Sequence, residues 1–281
     1  MILEKRHDAA RARRVVVKVG SSSVSGANAG QIGMLVDALA ERYGAGGEVV
    51  LVSSGAIATG TPYLHLDDRP IDLATQQAAA AVGQNVLIYR YQDSLDRYGI
   101  LAGQVLLTAG DLQDPTARSN ARRAMERLLT LRILPIVNEN DTVATHEIRF
   151  GDNDRLASFV ATLLHADLLV LLSDVDALYT RPPAKPGARR IDVVRCAEDL
   201  DGVEIGGVGS GVGTGGAATK VAAALHAAEA GTAVLFTSAV QVREALAGRE
   251  VGTWFVPAAP APTGDTGSRL GREQGLAAGA S

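Results

Sequence analysis

Short, almost wholly apolar runs recur along the chain, separated by longer stretches in which apolar residues fall three and four apart. The runs are RRVVVKVG at 13–20, EVVLV at 48–52, ILPIV at 133–137, LLVLL at 168–172 and TAVLFT at 232–237. A strand that is apolar on both faces belongs to a parallel sheet covered on both sides. ILAGQVLLT at 100–108 and GTWFV at 252–256 read as further strands. Between them, QIGMLVDALAERYG places Ile32, Leu35, Val36 and Leu39 on one helical face, with Gly44 past the helix end. Helices are also predicted over 75–98, with a kink at Gly83, over 116–131, where arginines line a solvated face, from Asp154 to about Leu164, and over the Ala-rich VAAALHAAEA. RPPAKPGARRIDVV reads as a surface loop. Strand alternating with helix predicts an α/β fold, a three-layer αβα sandwich around an open, mainly parallel sheet.

Polar residues concentrate where the apolar runs end. Lys18 closes the first run, Ser53-Ser54-Gly55 follow the second, and Ser173-Asp174 follow LLVLL. In open α/β sheets ligands bind outside the carboxyl ends of the strands. Taken alone, Lys18 fits either that role or a strand-end lysine snorkelling to water. ILPIV runs into Asn138-Glu139-Asn140-Asp141. A short hairpin, VATHEIRF, then leads to Gly151-Asp152-Asn153-Asp154. Asp152 has the position of a helix N-cap. Capping does not account for Asn138, Asp141, Asn153 and Asp154 together, which suit a pocket mouth for an amino group or for cationic side chains. His146 and His165 are isolated, and no His/Cys cluster has zinc-site spacing.

The densest signal is GGVGSGVGTGGAATK at 206–220. Glycines let backbone N–H groups approach a ligand, and the helix that follows adds free donors and partial positive charge. Lys220 lies in the first turn of that helix, where the dipole disfavours a cation, so an anion is expected beside it. The stretch lacks the GxxxxGK[ST] pattern. Gly211, Gly213 and Gly216 match GxGxxG, but no strand precedes them and no carboxylate follows TAVLFT. It therefore reads as a phosphate loop and not as a dinucleotide fingerprint.

Composition narrows the surroundings. The 281 residues are 47% hydrophobic and 21% charged, with a formal net charge of −4, which gives no basic footprint for nucleic acid. No apolar run approaches membrane-span length and the N-terminus lacks a signal-peptide core. The single cysteine, Cys196, fits a reducing cytoplasm. From Pro257 the chain is rich in Pro, Gly and Ala and is expected to be disordered.

VVVKVGSSSVSG, LVSSGAIATG, AAVGQ, VNENDTVA, GDNDRLA, LLSDVDALYT and GVGTGGAATK, in this order from about Val15 to Phe255, resemble the amino acid kinase superfamily and, within it, the glutamate 5-kinases. The resemblance implies an extension over 1–13, a kinase domain over 14–256 and a tail over 257–281, without the RNA-modification-type (PUA) domain that many members carry. It implies that ATP with Mg2+ phosphorylates the γ-carboxylate of L-glutamate, the first step of proline biosynthesis. Lys18 and Lys220 would hold the transferred phosphoryl group and Asp154 would orient them. Ser54, Asp141 and Asn153 would bind glutamate. The nucleotide would lie along Lys18, Ser173, Asp174, Thr214, Gly215, Gly216, Ala217, Ala218, Thr219 and Lys220, with no dedicated protein metal site. Where the family's loop often reads GGMSTK, this chain has Ala217 and Ala218. The resemblance further implies proline as a feedback inhibitor, a homo-oligomer, and hand-over of the acyl phosphate to the next enzyme.

Overall fold

The computed structural model describes residues 3–28, 30–66, 68–145, 153–204 and 216–259. Its centre is one eight-stranded sheet. In chain order the strands are β1 (Arg14–Lys18), β2 (Glu48–Val52), β3 (Ala102–Leu107), β4 (Leu134–Glu139), β5 (Leu168–Ser173), β6 (Leu178–Tyr179), β7 (Arg190–Ile191), β8 (Val193–Val194), β9 (Ala233–Ser238) and β10 (Thr253–Phe255). The order across the sheet is β3-β4-β2-β1-β5-β9-β10-β8, and β6 pairs with β7 in a small separate ribbon. Every pairing in the large sheet is parallel except β9 with β10.

The helices are α1 (Gln31–Gly44), α2 (Ala56–Gly60), α3 (Leu73–Asp96), α4 (Ala109–Gln113), α5 (Pro115–Thr130), α6 (Asn153–Leu163), α7 (Ala217–Glu229) and α8 (Val242–Leu246). Successive strand residues point to opposite faces, and each face has its own core. Val15, Val17, Leu51, Val170 and Leu235 face the core built with α1, α3 and α8. Val16, Val50, Leu169, Leu171 and Phe236 face the core built with α5, α6 and α7. The continuous apolar strands thus follow from burial on both sides, and the αβα sandwich is as predicted.

Two local expectations are corrected. The stretch 181–194 is not all loop, because Arg190–Ile191 and Val193–Val194 are strands, the latter at the sheet edge beside β10. Helix α3 runs unbroken through Gly83, and this glycine serves close approach. A Cβ on Gly83 would lie 1.8 Å from the Ala56 carbonyl oxygen, and one on Gly60 would lie 1.9 Å from that of Ala79. These two glycines let α2 and α3 pack backbone to backbone. Finally, the helix expected to stop before Gly44 includes it. The hairpin expected over VATHEIRF and the tail after Pro257 lie largely outside the described residues.

At the amino terminus, the 3-10 turn Arg6–Arg11 packs against α8. The buried Arg6 guanidinium donates to the backbone oxygens of Asp192 and Gly252, and Leu3 and Ala9 join the core. Among the described residues no helix is long and apolar enough to cross a membrane.

Candidate active site

Chain order and sheet order diverge at β1. β2 lies on one side of it, β5 returns on the other, and the crevice opens outside their carboxyl ends. The loops there are drawn together. Gly55, with φ +98°, occupies the left-handed region, and a Cβ on it would approach the Ser21 Cα at 3.4 Å. Ser22 Oγ donates to Asp174 Oδ1 at 2.9 Å, tying the loop after β1 to the loop after β5. Ser173, half-buried, ends β5 beside the buried Ser238 of β9.

Into this crevice the sheet and two helices deliver three charged side chains. Lys18 is the last residue of β1, Asp154 the second of α6, and Lys220 the fourth of α7. Helices α6 and α7 pack side by side on one face of the sheet and both start at its carboxyl edge, so their amino termini converge. Asp154 Oδ1 lies 2.5 Å from Lys18 Nζ, and Oδ2 lies 2.9 Å from Lys220 Nζ. Relative exposure is 0% for Asp154, 2% for Lys18 and 8% for Lys220. Charges are buried in proteins only when paired, and here one carboxylate serves two ammonium groups. Asp154 also gains from the positive end of the α6 dipole. Lys220 sits unfavourably in the first turn of α7, and Asp154 offsets that.

Beside the triad lies an amide cluster. Asn153 Nδ2 donates to Ser53 O at 2.7 Å, Asn138 Oδ1 at 2.7 Å and Ser54 Oγ at 3.0 Å. Asn138 Nδ2 donates in turn to Gln84 Oε1 at 2.6 Å. Asn153 is 8% exposed, and its Oδ1 has no hydrogen-bond partner among the described residues. A buried acceptor without a donor costs about 1–3 kcal/mol, so this oxygen suits a ligand N–H. Asp141, half-buried, follows β4 in the turn at the same edge. Behind the cluster the Tyr91 hydroxyl of α3 contacts Ser53 Oγ at 2.9 Å, and complete burial pushes its phenol well above the usual tyrosine range.

The structure therefore brings Lys18, Asp154 and Lys220 together, and Ser54 with Asn153. Ser173 and Asp174 flank the same crevice. At the start of α7, Gly216 is the N-cap, Ala217 is half-buried, Ala218 and Thr219 are exposed, and Thr219 Oγ1 donates to Gly216 O at 2.8 Å. Thr214 and Gly215, with the rest of the glycine loop from Ile205, lie outside the described residues. Tyr91 and Gln84 were not singled out as site residues from the sequence. AAVGQ contains Gln84, but nothing in the local pattern marks Tyr91 as different from a core aromatic.

The model of the amino acid kinase family matches residues 13–238. The chain belongs to the amino acid kinase family. Glutamate 5-kinase of Clavibacter michiganensis subsp. michiganensis is 76% identical over 248 residues, 88% of this chain and 96% of that protein. Glutamate 5-kinase of Leifsonia xyli subsp. xyli is 73% identical over 259 residues, 92% of this chain and 96% of that protein. That of Thermobifida fusca is 58% identical, and the match covers 91% of this chain and 67% of its own length. Among solved structures, carbamate kinase from Giardia lamblia bound to AMP-PNP superimposes with a TM-score of 0.65 at 16% identity, covering 89% of this chain and 100% of that one. At this identity the likeness supports the amino acid kinase fold alone.

Proposed function

We infer that this chain is a kinase of the amino acid kinase family that transfers the γ-phosphoryl group of ATP to the γ-carboxylate of L-glutamate, giving L-glutamyl 5-phosphate for proline synthesis in the cytoplasm. One observation carries the reading: two buried lysines share one buried carboxylate at the carboxyl edge of the sheet. The relatives named glutamate 5-kinase support the choice of acceptor.

The reaction joins two anions. The γ-carboxylate oxygen attacks the γ-phosphorus of ATP, the bond to the β,γ-bridging oxygen breaks, and ADP leaves with the electron pair. Such transfers need positioning and charge stabilisation more than covalent help. Lys18 and Lys220 face the transferred phosphoryl group and neutralise its equatorial oxygens. Asp154 holds both ammonium groups in fixed positions, so they do not reorganise as charge moves. Asn153 Oδ1 and Asp141 receive the substrate ammonium, and Ser54 a substrate oxygen. Ser173, Asp174 and the start of α7 line the nucleotide. Mg2+ bound to ATP supplies further charge neutralisation. Among the described residues there is no group of three His, Cys, Asp or Glu placed to hold a metal ion; Mg2+ in phosphoryl-transfer sites is commonly held through substrate phosphates and water.

The same reading places proline as a competitor at the glutamate site, raising the apparent glutamate KM. It also makes the working form a homo-oligomer that passes its acyl phosphate to the next enzyme. ADP release measured across glutamate, aspartate, N-acetylglutamate, carbamate and isopentenyl phosphate tests the acceptor. Glutamate should exceed the acceptors without a free α-amino group in kcat/KM by at least about 10²-fold, because these leave the buried Asn153 oxygen unpaired. Equal or better turnover of an acylated amine would overturn the assignment.

A further inference from the structure

Helix α3 contributes nothing to the charged triad, yet it carries a fully buried hydroxyl aimed at the amino-acid side of the site. Tyr91 is 0% exposed and packs among Leu87, Leu95 and the strands of its face. A phenylalanine would fill that space without desolvating a hydroxyl. The hydroxyl is tolerated because it meets Ser53 Oγ at 2.9 Å. Ser53 Oγ donates to Ser54 O at 3.1 Å, which leaves the Tyr91 O–H as the donor to Ser53. The direction of the chain is thereby set: Tyr91 to Ser53 to the backbone of Ser54.

Ser53 is also the residue on which the site is hung. Its N–H donates to Val137 O at 2.9 Å, extending the β2–β4 pairing by one residue. Its carbonyl accepts from Asn153 Nδ2 at 2.7 Å, and Asn153 reaches on to Ser54 Oγ. The two residues given the substrate in the reading above, Ser54 and Asn153, are thus both fixed through Ser53. The other end of Ser53 is held by Tyr91. The tight α2–α3 packing at Gly60 and Gly83 holds the segment after Gly55 against the same helix.

We propose that Tyr91 is a positioning residue of the amino-acid site, acting through Ser53 to hold Ser54 and the Asn153 acceptor in the geometry that receives the substrate's amino acid moiety. Tyr91 does not touch the substrate and takes no part in phosphoryl transfer. Its burial raises the phenol pKa, which favours the protonated, donating form. The proposal rests on the assignment of the acceptor site given above.

The test is steady-state kinetics of Tyr91→Phe, Ser53→Ala and the double variant, with melting curves for each. Tyr91→Phe keeps the ring and removes one hydrogen bond. It should raise the acceptor KM about fivefold to tenfold, leave the ATP KM within twofold, and lower kcat less than it raises KM. Ser53→Ala should act in the same direction. The double variant should be no worse than the more affected single variant, because both remove the same link. A Tyr91→Phe enzyme with acceptor KM within twofold of wild type overturns the proposal, whatever its melting temperature, as does an equal rise in both KM values. Wild-type enzyme silent on glutamate but active on another acceptor sinks the substrate assignment instead, and the same variants are then read on that acceptor's KM.

Discussion

Replacing Asp154 by Asn should be the most damaging single-atom change in this fold. The carboxylate lies 2.5 Å from one ammonium and 2.9 Å from another, and none of it reaches water. At an effective dielectric constant of about 20 each contact corresponds to about 6 kcal/mol of attraction. Removing both does not cost the sum. A buried lysine left without its partner can shed its proton, and from pKa about 10.4 to pH 7 that takes about 4.6 kcal/mol. This agrees with the 3–5 kcal/mol typical of breaking a buried pair from one side. For a domain of this size each kcal/mol moves Tm by about 2 °C, so Asp154→Asn should melt about 6–10 °C lower at pH 7. Turnover should fall by at least about 10²-fold, since neither lysine is held in place. A variant melting within 2 °C of wild type would refute the claim that Asp154 compensates the buried charge of the two lysines.

Lys220→Ala should lower kcat by about 10²-fold or more, with Lys220→Arg recovering little because a planar guanidinium does not replace a compact ammonium on Asp154; turnover of Lys220→Ala within threefold of wild type would remove it from the site. Gly83→Ala should destabilise by more than the few tenths of a kcal/mol of an ordinary surface change, because its Cβ would sit 1.8 Å from the Ala56 carbonyl oxygen. Chemical denaturation reads this directly, and a stability equal to wild type would show that α2 and α3 can separate at no cost.

The sheet was legible because burial on both faces writes continuous apolar runs, and β1, β2, β4, β5 and β9 appear where those runs lie. The edges were less so. β8 and β7 are two-residue strands inside a Pro- and Arg-rich stretch, and two residues leave no periodicity to read. Gly83 shows a second limit. A glycine in a helix signals weakness by propensity, whereas its reason here is the backbone of α2, which only the tertiary structure supplies. Lys220 shows a third. From the helix dipole alone it is a destabilising residue, but the Asp154 carboxylate, 66 residues earlier in the chain, reverses that sign. The residues of the triad could be named from family motifs and from their positions at strand and helix ends. Tyr91 could not, because a buried tyrosine on a long helix has the pattern of core, and its purpose lies in the partner of its hydroxyl.

The central claim is that this site phosphorylates the side-chain carboxylate of glutamate. It is tested most directly by incubating the protein with ATP, Mg2+, L-glutamate and hydroxylamine, and measuring hydroxamate against ADP. Capture of the acyl phosphate should give γ-glutamyl hydroxamate in a one-to-one ratio with ADP, with both lost when glutamate is omitted. ADP formed without hydroxamate, or at the same rate without glutamate, would contradict the account.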